Sequence, residues 1–193
     1  MFQVRIHGRG GQGAVTAAEM LSVAAFDEGL HAQAFPSFGS ERNGAPVVAF
    51  CRIDDSTIRA HDPVTAPDAV IIQDPTLLHL VPVFDGLAGD GQILVNTSRS
   101  FAELHLDGLL DPDDSDRLVT VPATDLSRKR LGRPRPNTAL LGGFAALTGV
   151  VSLASVQEAI RQRFAGEIGD ANAEIAAAAY DHVLNTLGRH ARA

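Results

Sequence analysis

The residues best suited to chemistry in this chain lie at its start, in the stretch Val4–Gly13, VRIHGRGGQG. Gly8, Gly10, Gly11 and Gly13 fall within six positions, interleaved with Arg9 and Gln12. Val4 and Ile6 alternate with polar neighbours before them, the pattern of a short strand, and Ala14–Phe26 behind them reads as an Ala-rich helix. A glycine loop between a strand and a helix lets backbone turn tightly and approach a ligand closely. The helix N-terminus then offers unpaired N–H groups and positive dipole to an anion. The bland alternative is a tight turn that binds nothing. Dinucleotide binding would further require an acid about twenty residues on, at the end of the second strand. That strand, His31–Phe35, runs into Pro36-Ser37 with no acid, while Asp27 and Glu28 come too early.

A second loop with chemical potential follows, Pro36–Val47, containing Ser37, Phe38, Gly39, Ser40, Glu41, Arg42 and Gly44. Adjacent Glu41 and Arg42, bracketed by glycines, would place a carboxylate and a guanidinium at a ligand or an interface. As a mere surface ion pair they would contribute less than about 1 kcal/mol. A third stretch, Leu126–Pro136, carries Arg128, Lys129, Arg130, Arg133 and Arg135 in an acidic protein of net charge −7. Such runs are either solvated faces or contacts to phosphate or a docking partner. The seven histidines are scattered, with His7 nearest the glycine loop. No metal-ligand spacing, paired cysteine or nucleophile-elbow motif occurs. The single cysteine, Cys51, excludes an internal disulfide and an iron–sulfur cluster ligated by cysteines of this chain alone.

The elements that must position these residues are legible in outline. Pro46–Ile53 reads as a strand with Val47, Ala49, Cys51 and Ile53 on one face, too close to its predecessor for a helical crossover and so antiparallel. Asp54-Asp55-Ser56 is a turn, and Thr57–Ala60 is expected to form a short return strand. Ala69–Gln73 and Gln92–Asn96 are apolar runs of the buried parallel type, with a short helix begun at Asp74-Pro75. Leu118–Pro122 is a further short strand. The acidic stretch Leu110–Asp116 lacks calcium-loop spacing and reads as surface. Asn137–Gly149, with Asn137 as N-cap, is apolar all round and includes Leu141 and Phe144; a helix without a polar face is buried on every side, which implies that a partner chain covers one. Ser155-x-x-Glu158 reads as a capping box and Asp170 as the cap of the last helix. The expectation is a single α/β domain over residues 1–193, a Rossmann-like doubly wound sheet with an antiparallel or mixed part and a helical C-terminal third. With 45% hydrophobic and 20% charged residues, no apolar tract of membrane-spanning length and no signal-peptide pattern, a cytoplasmic protein is expected, binding neither membrane nor nucleic acid.

Three stretches together, His7–Leu21, Ala34–Ile53 and Arg133–Leu153, resemble the gamma subunit of 2-oxoacid:acceptor oxidoreductases of the pyruvate:ferredoxin type. The form of the Pro36–Val47 loop is similar to pyruvate, branched-chain and aryl-oxoacid members. The resemblance implies a complex with alpha, beta and ferredoxin-like delta subunits that turns a 2-oxoacid, CoA and an oxidised acceptor into acyl-CoA, CO2 and reduced acceptor. It implies thiamine diphosphate, magnesium and [4Fe–4S] clusters on the other subunits, no cofactor or catalytic residue on this chain, and ferredoxin or another acceptor met through the complex. It also implies that the chain lies near the route of CoA. Asn43 stands where relatives often carry a basic residue. The alternative from the residues alone is a free-standing reductase in which Ser37, Ser40 and Arg42 read the 2′-phosphate of NADP.

Overall fold

The computed structural model describes residues 1–37, 44–106 and 117–190. Phe38, Gly39, Ser40, Glu41, Arg42 and Asn43, and the stretch Leu110–Asp116, lie outside the described residues. Six strands, β1 Phe2–Arg9, β2 His31–Pro36, β3 Pro46–Asp54, β4 Ala69–Ile72, β5 Gln92–Asn96 and β6 Leu118–Val121, form one sheet in the order β2-β3-β1-β4-β5-β6. Among the described residues five helices accompany them: α1 Ala14–Asp27, α2 Ala123–Leu131, α3 Asn137–Thr148, α4 Leu153–Arg163 and α5 Glu167–His190. None is long and apolar enough to cross a membrane.

The expected α/β architecture is present, and the mixed part has a specific origin. β1, β4, β5 and β6 run parallel, whereas β3 lies between β1 and β2 and is antiparallel to both. The loop after β2 is short enough for a hairpin-type return, and β3 uses it to occupy the slot beside β1. Strand alternation then divides the core. Val4, Ile6, Ala49, Cys51, Ile71, Leu94 and Val121 face the helices, while Val70, Ile72, Ile93 and Val95 face a smaller layer of one-turn helices at Pro75–His79 and Phe101–Leu104 and their loops.

Several local expectations need correction. Thr57–Ala60 is not a strand; its Ala60 carbonyl accepts from the buried Arg52 guanidinium instead (3.2 Å). Asn137 is the first residue of α3 rather than its cap, Pro136 taking that position. Ser152, not Ser155, caps α4, accepting from the Ser155 N–H at 3.1 Å. Asp170 lies inside α5, which begins at Glu167. α3 is indeed buried throughout its first turns, with Leu141 1% and Phe144 0% exposed. Its cover comes from α1, α2, α4, α5, β5 and β6 of the same chain. The all-apolar pattern of α3 therefore reports a central helix, and no partner chain is needed to account for it.

Candidate functional site

In open α/β sheets ligands bind outside the carboxyl ends of the strands, and here those ends bring together Arg9, Gln73-Asp74 and Asn96. The glycine loop is held in place by a compact polar lattice. Arg9 N–H donates to Gln12 Oε1 (2.8 Å), and Gln12 Nε2 donates to Asp74 Oδ2 (2.9 Å). Arg9 Nε donates to the same carboxylate oxygen at 3.1 Å, Nη1 to the Gly44 carbonyl at 3.0 Å and Nη2 to Thr76 Oγ1 at 2.6 Å. Partial burial works against ionising Asp74, but hydrogen bonds from Thr76 and Gln12 and the charge of Arg9 hold its carboxyl below the ordinary range. Gly10 and Gly44 are tied to the same frame, Gly10 N–H donating to the Ala45 carbonyl (2.9 Å) and Gly44 N–H to the Gly10 carbonyl (3.2 Å). Arg9 and Gln12 are thus spent on the loop's own geometry rather than offered to a ligand.

Gly11 and Gly13 adopt φ of 92° and 81°, the left-handed region that side chains resist. Gly13 is also the N-cap of α1, and no side chain caps that helix. Gly13 and Thr16 of this helix start border a cavity of about 520 Å3 whose lining also includes Asn137, Arg133, Arg135 and Arg163. Asn137 and Thr138 sit at the start of α3, Thr138 Oγ1 donating to Asn172 Oδ1 (2.9 Å). The basic stretch divides accordingly. Arg128 pairs with Asp125 and Arg130 with Glu174, so these are solvated surface. Arg133, Arg135 and Arg163 form no ion pair among the described residues and converge on the cavity. Gly132, with φ of 68°, ends α2 and turns the chain there, and the Arg135 N–H donates to Ser127 Oγ (2.9 Å).

The sequence-predicted residues therefore separate. Gly8, Arg9, Gly10, Gly11, Gln12, Gly13 and Gly44 share one loop system, and Asn137 joins Gly13 at the cavity. Ser37 instead lines a cavity on the opposite sheet face. Leu141 and Phe144 belong to the core. Missed in the sequence were Asp74 and Thr76, which read only as a helix start, and Asn96, whose amide donates to the Gln73 carbonyl (2.7 Å) and to Thr124 Oγ1 (2.8 Å). Their signal was positional: polar residues at the carboxyl end of apolar strands. No group of His, Cys, Asp and Glu suited to a metal occurs among the described residues. Cys51 is fully buried, and burial pushes its thiol up to about 12, which removes the thiolate that reactivity needs.

His7 is 5% exposed, and burial first, then the charge of Arg5, bring it down to about 4. The unfolded chain, titrating near 6.5, binds a proton that the folded one refuses, so stability falls as pH drops from about 6.5 toward 4. The expected loss is about 3 kcal/mol. Histidine-resolved NMR titration beside urea unfolding at the two ends of that window checks it; a His7 midpoint near the ordinary value would contradict it.

Comparison with known proteins follows the same lines. Residues 3–182 match the model of the family described as pyruvate ferredoxin/flavodoxin oxidoreductase. The chain is 48% identical over 186 residues to pyruvate synthase subunit PorC of Methanothermobacter marburgensis, covering 96% of this chain and 99% of that one. It is 49% identical to the common gamma subunit of pyruvate/ketoisovalerate oxidoreductases of Thermococcus kodakarensis, covering 95% and 98%. The crystal structure of pyruvate oxidoreductase subunit PORC from Thermotoga maritima superposes with a TM-score of 0.78 at 36% identity, over 93% of this chain and 95% of that one. The chain belongs to the pyruvate ferredoxin/flavodoxin oxidoreductase family, as the gamma subunit of a 2-oxoacid oxidoreductase.

Proposed function

We propose that this subunit forms the CoA side of its enzyme, receiving the phosphates of CoA in the arginine-lined cavity while the chemistry proceeds on partner subunits. The observation that carries the reading is the convergence of Arg133, Arg135 and Arg163, free of acidic partners among the described residues, at the uncapped N-terminus of α1. CoA presents three phosphate groups on a long flexible body. Guanidinium groups and helix N–H donors are the protein groups that match them. The lattice of Arg9, Gln12 and Asp74 would hold the glycine loop rigid so that this end of the cavity is preorganised.

In this reading the overall reaction is that of the resemblance: 2-oxoacid, CoA and oxidised acceptor give acyl-CoA, CO2 and reduced acceptor, with pyruvate, branched-chain or aryl 2-oxoacids as substrates. Thiamine diphosphate with magnesium would supply the electron sink for decarboxylation, and [4Fe–4S] clusters the path to ferredoxin or another acceptor. These groups would sit on alpha, beta and delta subunits, in the cytoplasm. The lone, buried, protonated Cys51 supports placing the clusters elsewhere. The gamma subunit would contribute no catalytic residue. Glu41 and Arg42 belong to the same proposal as contacts to CoA or to a neighbouring subunit, together with Ser37, Phe38 and Gly39. The free-standing NADP reductase loses ground because antiparallel β3 occupies the place beside β1 where a dinucleotide-binding sheet sets its second parallel strand.

The test is steady-state kinetics of the assembled enzyme carrying Arg133→Ala with Arg135→Ala. Each lost charge-assisted contact costs about 1.5–3 kcal/mol, so KM for CoA should rise by at least about tenfold with kcat little changed. CoA-independent exchange of CO2 into the 2-oxoacid should stay at the parent rate. A parent-like KM for CoA in the assembled double variant would dismiss the reading.

A further inference from the structure

The arginine-lined cavity holds one side chain whose chemistry the arginines do not share. Asn137, the first residue of α3, borders it and is only 6% exposed. Its side-chain amide meets no hydrogen-bond partner among the described residues. It stands against the start of α1, where a Cβ on Gly13 would come within 2.8 Å of Asn137 Nδ2. Glycine at that position thus permits a φ of 81° and also leaves room for the amide. Arg133 and Arg135 precede Asn137 closely in the chain and line the same cavity. Asn137 therefore occupies the junction between the helix N-terminus and the arginines.

The other polar groups offered by this lining are donors. A guanidinium has no acceptor, and the N–H groups of a first helical turn only donate. The Asn172 amide is spent inside the fold, its Nδ2 donating to the Ile168 carbonyl (2.8 Å) and its Oδ1 accepting from Thr138 Oγ1 (2.9 Å). The Thr16 hydroxyl can turn to donate. No carboxylate lines the cavity among the described residues. Asn137 is the exception: whichever way its amide is turned, an acceptor stands beside its donors. A ligand made of phosphate alone would satisfy the donors and leave that oxygen unpaired, facing an anion. The ligand group at Asn137 must itself carry an O–H or an N–H.

We infer that Asn137 is a specificity-determining residue that reads the ribose 2′-hydroxyl of CoA, its Oδ1 accepting from that hydroxyl and its Nδ2 donating toward a neighbouring phosphate. The inference rests on the CoA reading of the cavity. In CoA the ribose stands between the 5′-diphosphate and the 3′-phosphate, and its one free hydroxyl is the 2′. With the diphosphate at the N-terminus of α1 and the 3′-phosphate on Arg133 and Arg135, that hydroxyl falls at the junction Asn137 occupies. The base is then left to the apolar lining residues, Leu131, Phe164 and Ile168. A 2′-phosphate, as in NADP, would set an anion against the acceptor, so the same residue disfavours that nucleotide.

The experiment is calorimetric titration of the assembled enzyme with adenosine 3′,5′-bisphosphate, its 2′-deoxy analogue and adenosine 2′,5′-bisphosphate. The parent should bind the 2′-deoxy analogue about fivefold more weakly, the loss of one neutral hydrogen bond, and the 2′,5′ isomer more weakly still. Asn137→Ala should bind the 3′,5′-bisphosphate and its deoxy analogue equally. Should that variant fold poorly, Asn137→Leu removes the acceptor at similar side-chain length. A purely structural role for Asn137 would weaken both nucleotides alike and keep their ratio. Arg133→Ala with Arg135→Ala should weaken every nucleotide, and so reports on the cavity separately. If binding falls in that arginine variant, yet the parent ignores the 2′-hydroxyl or the Asn137 variant keeps the parent ratio, the role of Asn137 is overturned and the CoA reading stands. Absent binding, or binding indifferent to the arginine pair, overturns both.

Discussion

Gly142→Ala is expected to destabilise the subunit by about 3 kcal/mol, against the usual sign of a glycine-to-alanine change inside a helix. By propensity alone, alanine in the middle of α3 should gain up to about 1 kcal/mol. The gain is overridden where α3 meets α5. A Cβ on Gly142 would stand 1.9 Å from the Ala176 carbonyl oxygen and 2.5 Å from its carbon. Both atoms are helix backbone, which cannot rotate aside as a side chain would, so the two helices must part. Parting them opens the packing of Leu140, Leu141, Ala173 and Ala179, all buried in one core. Valine at the same position should exceed about 4 kcal/mol, the range reserved for severe core damage. The adjacent Gly143 is an internal control. A Cβ there meets only side-chain methyls of Val121, Leu94 and Val183, at 3.3–3.4 Å, so Gly143→Ala should fall within about 1 kcal/mol of the parent. Urea unfolding of the three variants measures this directly. Equal stabilities for Gly142→Ala and Gly143→Ala would show that the helices do not approach as closely as the structure has them.

The contrast between neighbouring glycines also marks what the sequence could convey. A glycine pair inside an apolar run announces close packing, but not which member touches backbone. The same limit recurs elsewhere. Strand positions followed from apolar runs bounded by turn residues, and β1, β2, β3, β4, β5 and β6 stand within a residue or two of their expected places, β1 extending beyond the short strand expected. The antiparallel direction of β3 followed from loop length. Its location between β1 and β2 did not, because strand order depends on long-range pairing that no local pattern encodes. Caps were misplaced by one to four residues because Ser, Asn and Asp are plentiful near helix starts. Only the carbonyls and N–H groups left over decide among them. At the candidate site the glycines were legible because their conformations demand them. Asp74, Thr76 and Asn96 were not, since an ordinary Asp or Asn acquires its role only when strands distant in sequence end side by side. The basic stretch looked uniform in sequence, yet Arg128 and Arg130 find acids while Arg133 and Arg135 turn to the cavity.

Phe144→Asp should leave no folded subunit, whether or not partner subunits are present. The ring is 0% exposed and meets Phe2 edge-on, with centroids 6.3 Å apart and planes at 69°. Deleting a buried phenyl costs about 3–5 kcal/mol in packing alone. The aspartate then has neither water nor a cation beside it, for its neighbours are the apolar residues of the helix-side core. An uncompensated buried charge adds several kcal/mol more, much of it escaped only by taking up a proton. The sum reaches the whole stability of an ordinary domain, about 5–15 kcal/mol. From the sequence, an all-apolar helix at a subunit seam would predict a different result: a folded chain that fails to assemble. The structure separates the two, because every side of α3 is covered from within the chain. Circular dichroism and size-exclusion chromatography of Phe144→Asp, produced alone and with its partner subunits, decide the matter. A soluble chain with cooperative unfolding that merely fails to join the complex would return α3 to the interface and overturn its place at the centre of the fold.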